Sequence, residues 1–273
     1  MARPRTAFRA AAPAGIASAI LASSAALLWP ATSARAQIPS KYENLKVLPK
    51  DITRDSLVSV MRGFALGLGV RCHFCHVGKE GQPFAQWNFK SDQKANKRKA
   101  RFMLRMVEYL NQERLPTLPT RADARREDPP VTVTCHTCHH GVPVPRALGE
   151  LLDLTSRRAG IDSAVALYGA LRERFYGDGS YDFGERTLVE LAERLVDAKR
   201  TTEAVRFLEL NLELFPSSAS TYLALAQAHE AGGDRSAAIA ALERAAELRP
   251  DDRRIRARLE RLKQGGTREP EEP

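Results

Sequence analysis

Leu57, Val58, Met61, Phe64 and Ala65 recur at three- and four-residue intervals, which predicts a helix over 51–66 with one apolar face. Asp51 or Thr53 would cap it, and Gly67 and Gly69 would stop it. A second helix is predicted over 93–112, opening near Ser91 or Asp92, with Phe102, Met103, Met106, Val107 and Leu110 on its buried side. Residues 115–130 hold four prolines and no apolar period, the pattern of a loop. From Leu151 the chain is rich in alanine, leucine and glutamate and repeats every 34 residues: Leu191 and Leu225, Ala192 and Ala226, Ala204 and Ala238, Leu208 and Leu242, Pro216 and Pro250. Small residues where paired helices touch, with a proline after the second helix, predict stacked helix pairs. Two full repeats would cover 185–252, with helices at 162–175 and 253–263 completing and capping the stack. The fold class expected is mainly α.

The first 36 residues follow another pattern. Arg3, Arg5 and Arg9 precede an apolar run from Gly15 to Trp29, and Ala34-Arg35-Ala36 offers a cleavage site before Gln37. The run is shorter than the ~20 apolar residues that span a membrane. A secretory signal over 1–36 is therefore expected, with the mature protein exported to the periplasm. Charge divides the remainder: residues 37–148 carry 19 Lys/Arg against 10 Asp/Glu, and 149–273 carry 19 against 23. Lys94, Lys97, Arg98, Lys99, Arg101 and Arg105 fall on the second helix. Export removes nucleic acid as a partner, so this run reads as a solvated charged face, or as a docking surface for an acidic redox protein.

The chemistry is concentrated in Cys72-His73-Phe74-Cys75-His76 and Cys135-His136-Thr137-Cys138-His139, which use all 4 cysteines. C-x-x-C-H is the attachment signature of c-type haem: the cysteines form thioethers and the histidine ligates the iron. With 6 His in 273 residues, a histidine following both pairs by accident is roughly a one-in-two-thousand event. Two C-x-x-C pairs with neighbouring histidines could instead hold zinc tetrahedrally, although zinc on reduced thiolates suits an exported protein poorly. A redox dithiol would need a strand-helix-strand setting that neither pair has. The expected cofactors are two covalently bound haems, one on Cys72 and Cys75, the other on Cys135 and Cys138, with His76 and His139 on the irons. Beyond the signal the methionines are Met61, Met103 and Met106, all on the two predicted helices. Each suits core packing, and each suits the sixth position of a haem iron. Met103 and Met106 share a helix face, and their spacing does not choose between them.

Residues from about Asn44 to Pro145 resemble the cytochrome c subunit of photosynthetic reaction centres. The likeness lies in Leu45-Lys46-Val47-Leu48, in Met61 placed eleven residues before Cys72, in Phe102-Met103-Leu104-Arg105-Met106, and in the run from Val133 through the second motif to Pro145. The resemblance implies that Met61 and Met103 are the sixth ligands, opposite His76 and His139. That subunit re-reduces a photo-oxidised pigment and carries four haems, whereas this chain has cysteines for two. The later positions are those of tetratricopeptide repeats, which implies a protein-docking module.

The expectation is thus a multihaem c-type cytochrome domain over 37–148, a tetratricopeptide α-solenoid over 149–264 and a disordered tail over 265–273. The function expected is electron transfer rather than catalysis, with a redox protein as partner: a photosynthetic reaction centre or a membrane respiratory complex, through which the protein would associate with the membrane. The alternatives are a di-haem cytochrome of a respiratory chain and a di-haem peroxidase-like enzyme. The repeat half, without cysteine or methionine, is expected to dock partners without affecting the haems.

Overall fold

A computed structural model of the chain describes residues 41–118 and 131–265. The expected signal over 1–36, residues 119–130 of the expected loop and the expected tail beyond 265 lie outside the described residues. Among the described residues there are ten α-helices and no strand.

Helix α1 (Arg54–Leu68) opens where Thr53 Oγ1 accepts from Ser56 N at 3.3 Å and closes on Gly69, which takes the left-handed conformation at φ 60°. Its register matches the apolar face expected: Leu57 is buried, and Val58, Met61, Phe64 and Ala65 are half-buried. Helix α2 (Ala95–Tyr109) begins later than expected, at Lys94, and continues through a wider turn at Leu110–Arg114. Neither Ser91 nor Asp92 caps it, because the Asp92 carboxylate is engaged elsewhere. Helix α3 (Cys135–His139) is the second motif itself.

Of the α2 face expected to be buried, Val107 and Leu110 are half-buried and the rest is not covered by protein. Phe102 is 66% exposed, Met103 and Met106 each 40%, and Tyr109 is also open. The opposite face, with Lys97 and Arg101, turns inward instead.

The remaining helices form antiparallel pairs: α4 (Leu148–Ala159) with α5 (Ile161–Phe175), α6 (Glu185–Asp197) with α7 (Thr201–Leu214), and α8 (Ala219–Gly232) with α9 (Arg235–Leu248). Helix α10 (Arg253–Lys263) packs on α9. Ser218, Asp234 and Asp252 cap α8, α9 and α10. The 34-residue period has a direct packing meaning, since Ala192 and Ala226, Ala204 and Ala238, and Leu208 and Leu242 are all fully buried. Alanine at these sites lets paired helix axes approach, and Phe207 fills the space between pairs. Burying Phe207 alone contributes roughly 2–3 kcal/mol. Both clusters of buried apolar side chains lie between Leu148 and Leu262. Among the described residues before Leu148, the buried hydrophobics are Leu57 and Val142 alone.

Candidate haem centres

The second motif is held at both ends. At its start, Thr137 N donates to Thr134 Oγ1 at 3.3 Å while Thr134 N donates to Thr137 Oγ1 at 2.9 Å, a reciprocal box that uses the threonine between the two cysteines. At its end, His140 (φ 46°) and Gly141 (φ 79°) both take left-handed backbone, so the chain doubles back. Val142 N then donates to His139 O at 2.9 Å, and the Val142 carbonyl oxygen comes to lie 2.9 Å from His139 Nδ1. A carbonyl can only accept, so Nδ1 carries the proton and Nε2 is left with a free lone pair that could ligate a metal. Val142 is itself buried, which fixes the acceptor.

Helix α1 seats this motif. Gly67 O accepts from Gly141 N at 3.1 Å, and a Cβ on Gly67 would sit 3.1 Å from His136 N and 3.2 Å from Cys135 Cβ. A Cβ on Gly69 would lie 1.9 Å from Gly141 O. These glycines therefore end α1 and also admit the second motif against it.

The first motif is a 3-10 turn, Cys72–Phe74, followed by an aromatic cluster. His76 packs edge-on against Phe89 at 5.0 Å, and Phe84, Trp87 and Phe89 lie 5.1–6.0 Å from one another. Trp87 Nε1 donates to Gln82 O at 3.0 Å and its ring closes over Gly78, where a Cβ would collide at 2.1 Å. Burial, with Lys97 and Arg101 nearby, lowers the His76 pKa to about 4, against a weaker upward pull from the Phe89 carbonyl. The imidazole is thus neutral, the form that binds metal. Its Nδ1 is buried without a hydrogen-bond partner.

Beside it stands an ion-pair hub. Asp92 accepts from Asn44 at 2.9 Å, Lys46 at 2.8 Å and Arg101 at 2.8 Å, with Lys97 Nζ at 3.3 Å, and these partners hold its carboxyl well below the usual carboxylate range. Lys97, 8% exposed, donates to the carbonyls of Phe89 (2.7 Å) and Ser91 (2.9 Å). Arg98 donates to the Asp92 and Gln93 carbonyls. Half of the run expected to be a solvated face is therefore structural: it ties residues 44–46 and 89–93 to α2, while Lys99 and Arg105 stay exposed.

The four cysteines are unpaired, and burial raises the Cys75 and Cys135 thiols. No three of His, Cys, Asp or Glu converge on one point among the described residues, whereas tetrahedral zinc takes four such donors. The residues do fit haem. A segment whose described residues bury two hydrophobics and present an outward apolar stripe has the shape of a fold completed by a large apolar group. Met103 lies on that stripe, and Met61 is half-buried on α1.

Residues 33–147 match the family model of the photosynthetic reaction centre cytochrome C subunit. Over those residues the chain is similar to that family, a likeness that suggests a cytochrome-type electron carrier binding c-type haem. Residues 195–262 match a tetratricopeptide repeat, a protein-interaction architecture. No curated protein matches the chain.

The spacing of the motifs marks both cysteine pairs and both histidines. It does not reveal the Val142 carbonyl, the Asp92 hub or the Phe84-Trp87-Phe89 cluster. Gly78 followed by three aromatics within twelve residues is the available signal for the last.

Proposed function

We propose that the chain is an exported, periplasmic di-haem cytochrome that passes electrons between redox proteins and docks a partner through its repeats. It comprises a secretory signal over 1–36, a haem-bearing part over 37–148, a repeat part over 149–264 and a tail. Cys72 and Cys75 tether one haem and Cys135 and Cys138 the other; His76 and His139 are the proximal ligands, Met61 and Met103 the distal ones. Haem iron supplies the reversible one-electron couple. The chain's residues fix the imidazoles, exclude water and present an acidic docking module beside a basic haem-bearing part. The partner is a redox complex of the membrane, either a photosynthetic reaction centre or a respiratory complex.

The observation that carries this reading is the segment before Leu148, whose described residues bury only two hydrophobic side chains yet hold two C-x-x-C-H motifs and an open apolar stripe bearing Met103. Expression in a host that attaches c-type haem tests it. The secreted protein should yield two haems per chain as a pyridine haemochrome, resistant to acid-acetone extraction. One haem, or stoichiometric zinc without haem, would overturn it.

A further inference from the structure

The repeat half reaches into the second motif. Ser180, in the loop between α5 and α6, donates from Oγ to the His140 carbonyl at 2.5 Å. A Cβ on Gly141 would lie 3.6 Å from Ser180 Oγ. Repeat packing fixes where Ser180 sits. Tyr181 packs against Phe175 at 5.5 Å, and buried Phe183 packs against Tyr168 at 5.7 Å. Asp178 Oδ1 accepts from Ser180 N at 2.8 Å, and the Asp182 carbonyl accepts from Thr187 Oγ1 at 3.0 Å. The loop is thus tied to the repeat helices on both sides of the serine.

What Ser180 holds is the turn that aims the second histidine. His140 is a non-glycine residue in left-handed backbone, a conformation that persists only where the surroundings impose it. Gly67 O restrains the turn from one side, through Gly141 N, and Ser180 restrains it from the other. Downstream of that turn the Val142 carbonyl accepts a hydrogen bond from His139 Nδ1. Donation from Nδ1 makes an imidazole a stronger donor to its metal, and outer-shell groups of this kind tune the metal's potential.

We infer that Ser180 is a positioning residue for His139, so that the repeat module sets the electronic environment of the second haem and leaves the first alone. This rests on the proposed ligation by His139. The direction comes from the hydrogen bond. A looser turn weakens donation from Nδ1, the imidazole becomes less electron-rich, ferric iron loses stabilisation relative to ferrous, and the potential of that haem rises.

The test compares the full-length, haem-loaded protein with its Ser180→Ala and Ser180→Thr variants. Haem is counted first: a wild type with one haem would fail the di-haem reading itself, a result separate from any effect of the serine. With two haems present, a spectroelectrochemical titration of Ser180→Ala should show one wave moved to higher potential and the other unmoved, and Ser180→Thr, which keeps the hydroxyl, should restore the wild-type curve. In the same haem-loaded proteins, the Gly141 and Val142 amides of Ser180→Ala should exchange with solvent faster than those of the wild type. Two unmoved waves, or equal shifts in the alanine and threonine variants, would overturn the inference while leaving two haems standing.

Discussion

Gly69→Ala puts a methyl group where Gly141 O already stands, 1.9 Å from the new Cβ. The obstructing atom is backbone, so it cannot swing aside as a flexible side chain would. Reaching ordinary contact requires the carbonyl to retreat by more than about 1 Å, and that carbonyl belongs to the turn on which Gly141 N bonds Gly67 O. Losing that bond costs about 1 kcal/mol, and holding a non-glycine residue in left-handed backbone costs roughly 1–2 more. The expected destabilisation is therefore about 3 kcal/mol, concentrated at the α1–α3 junction. Gly81→Ala is the control: Gly81 has φ 79° and nothing within 4 Å, so it should lose only the backbone share. Trp87 is the one tryptophan after residue 36, so its fluorescence during urea unfolding reports on this half of the chain. Haem stoichiometry should fall for Gly69→Ala and not for Gly81→Ala. If the two variants unfold at the same urea concentration with full haem, the close approach of the glycines is not what seats the second motif.

The site carries two further expected outcomes. In the haem-free protein His76 has its pKa lowered from 6.5 to about 4, so the folded state favours the neutral ring. That contribution is fully present above pH 6.5 and is lost as the pH falls from 6.5 toward 4; at about 1.4 kcal/mol per pH unit it amounts to roughly 3 kcal/mol. Urea titrations at pH 7.5 and 4.5 should differ by that order, and His76→Phe should flatten the difference; an unchanged pH slope in the variant would refute the assignment. Met103→His should lower the potential of one haem and abolish its sulfur-to-iron charge-transfer band, since a thioether raises the potential relative to imidazole, while Met106→Leu should leave both haems nearly unchanged. The reverse result would move the ligand to Met106.

The parts of the structure legible in the sequence are those written in local spacing. The 34-residue period identifies buried positions such as Ala204 and Ala238 because each repeat packs on its neighbour in the same way. The C-x-x-C-H motifs are local by chemistry, since one porphyrin edge must be reached by residues a turn apart. Helix α2 shows where that reasoning stops. Its apolar period is visible, but periodicity says only that Phe102, Met103 and Met106 share a face, not what meets that face. The inward side is taken by Lys97 and Arg101; Arg101 donates to the Asn44 carbonyl, and the Asp92 carboxylate that both cations share also accepts from Lys46, partners about fifty residues apart in sequence that leave no periodic trace. Helix α4 is legible only as part of a helical region, and its tie to α7, where Arg200 bonds both Asp153 and Glu203, is likewise non-local.

Helix α3 ties these elements together. It has five residues, too few to persist as an isolated helix in water, because nucleation fixes several dihedrals for each bond gained. Its order has to come from outside. The Thr134–Thr137 box supplies one end from within the motif; Gly67 and Gly69 supply a flat seat from α1; Ser180 supplies the far side of the turn from the repeats. Residues before the first motif and residues after the second therefore build the second site jointly. The consequence for assembly is directional: a nascent chain can present Cys72 to His76 on a local 3-10 turn, but the geometry that prepares His139 is complete only once the loop carrying Ser180 has been made and the repeats behind it have packed.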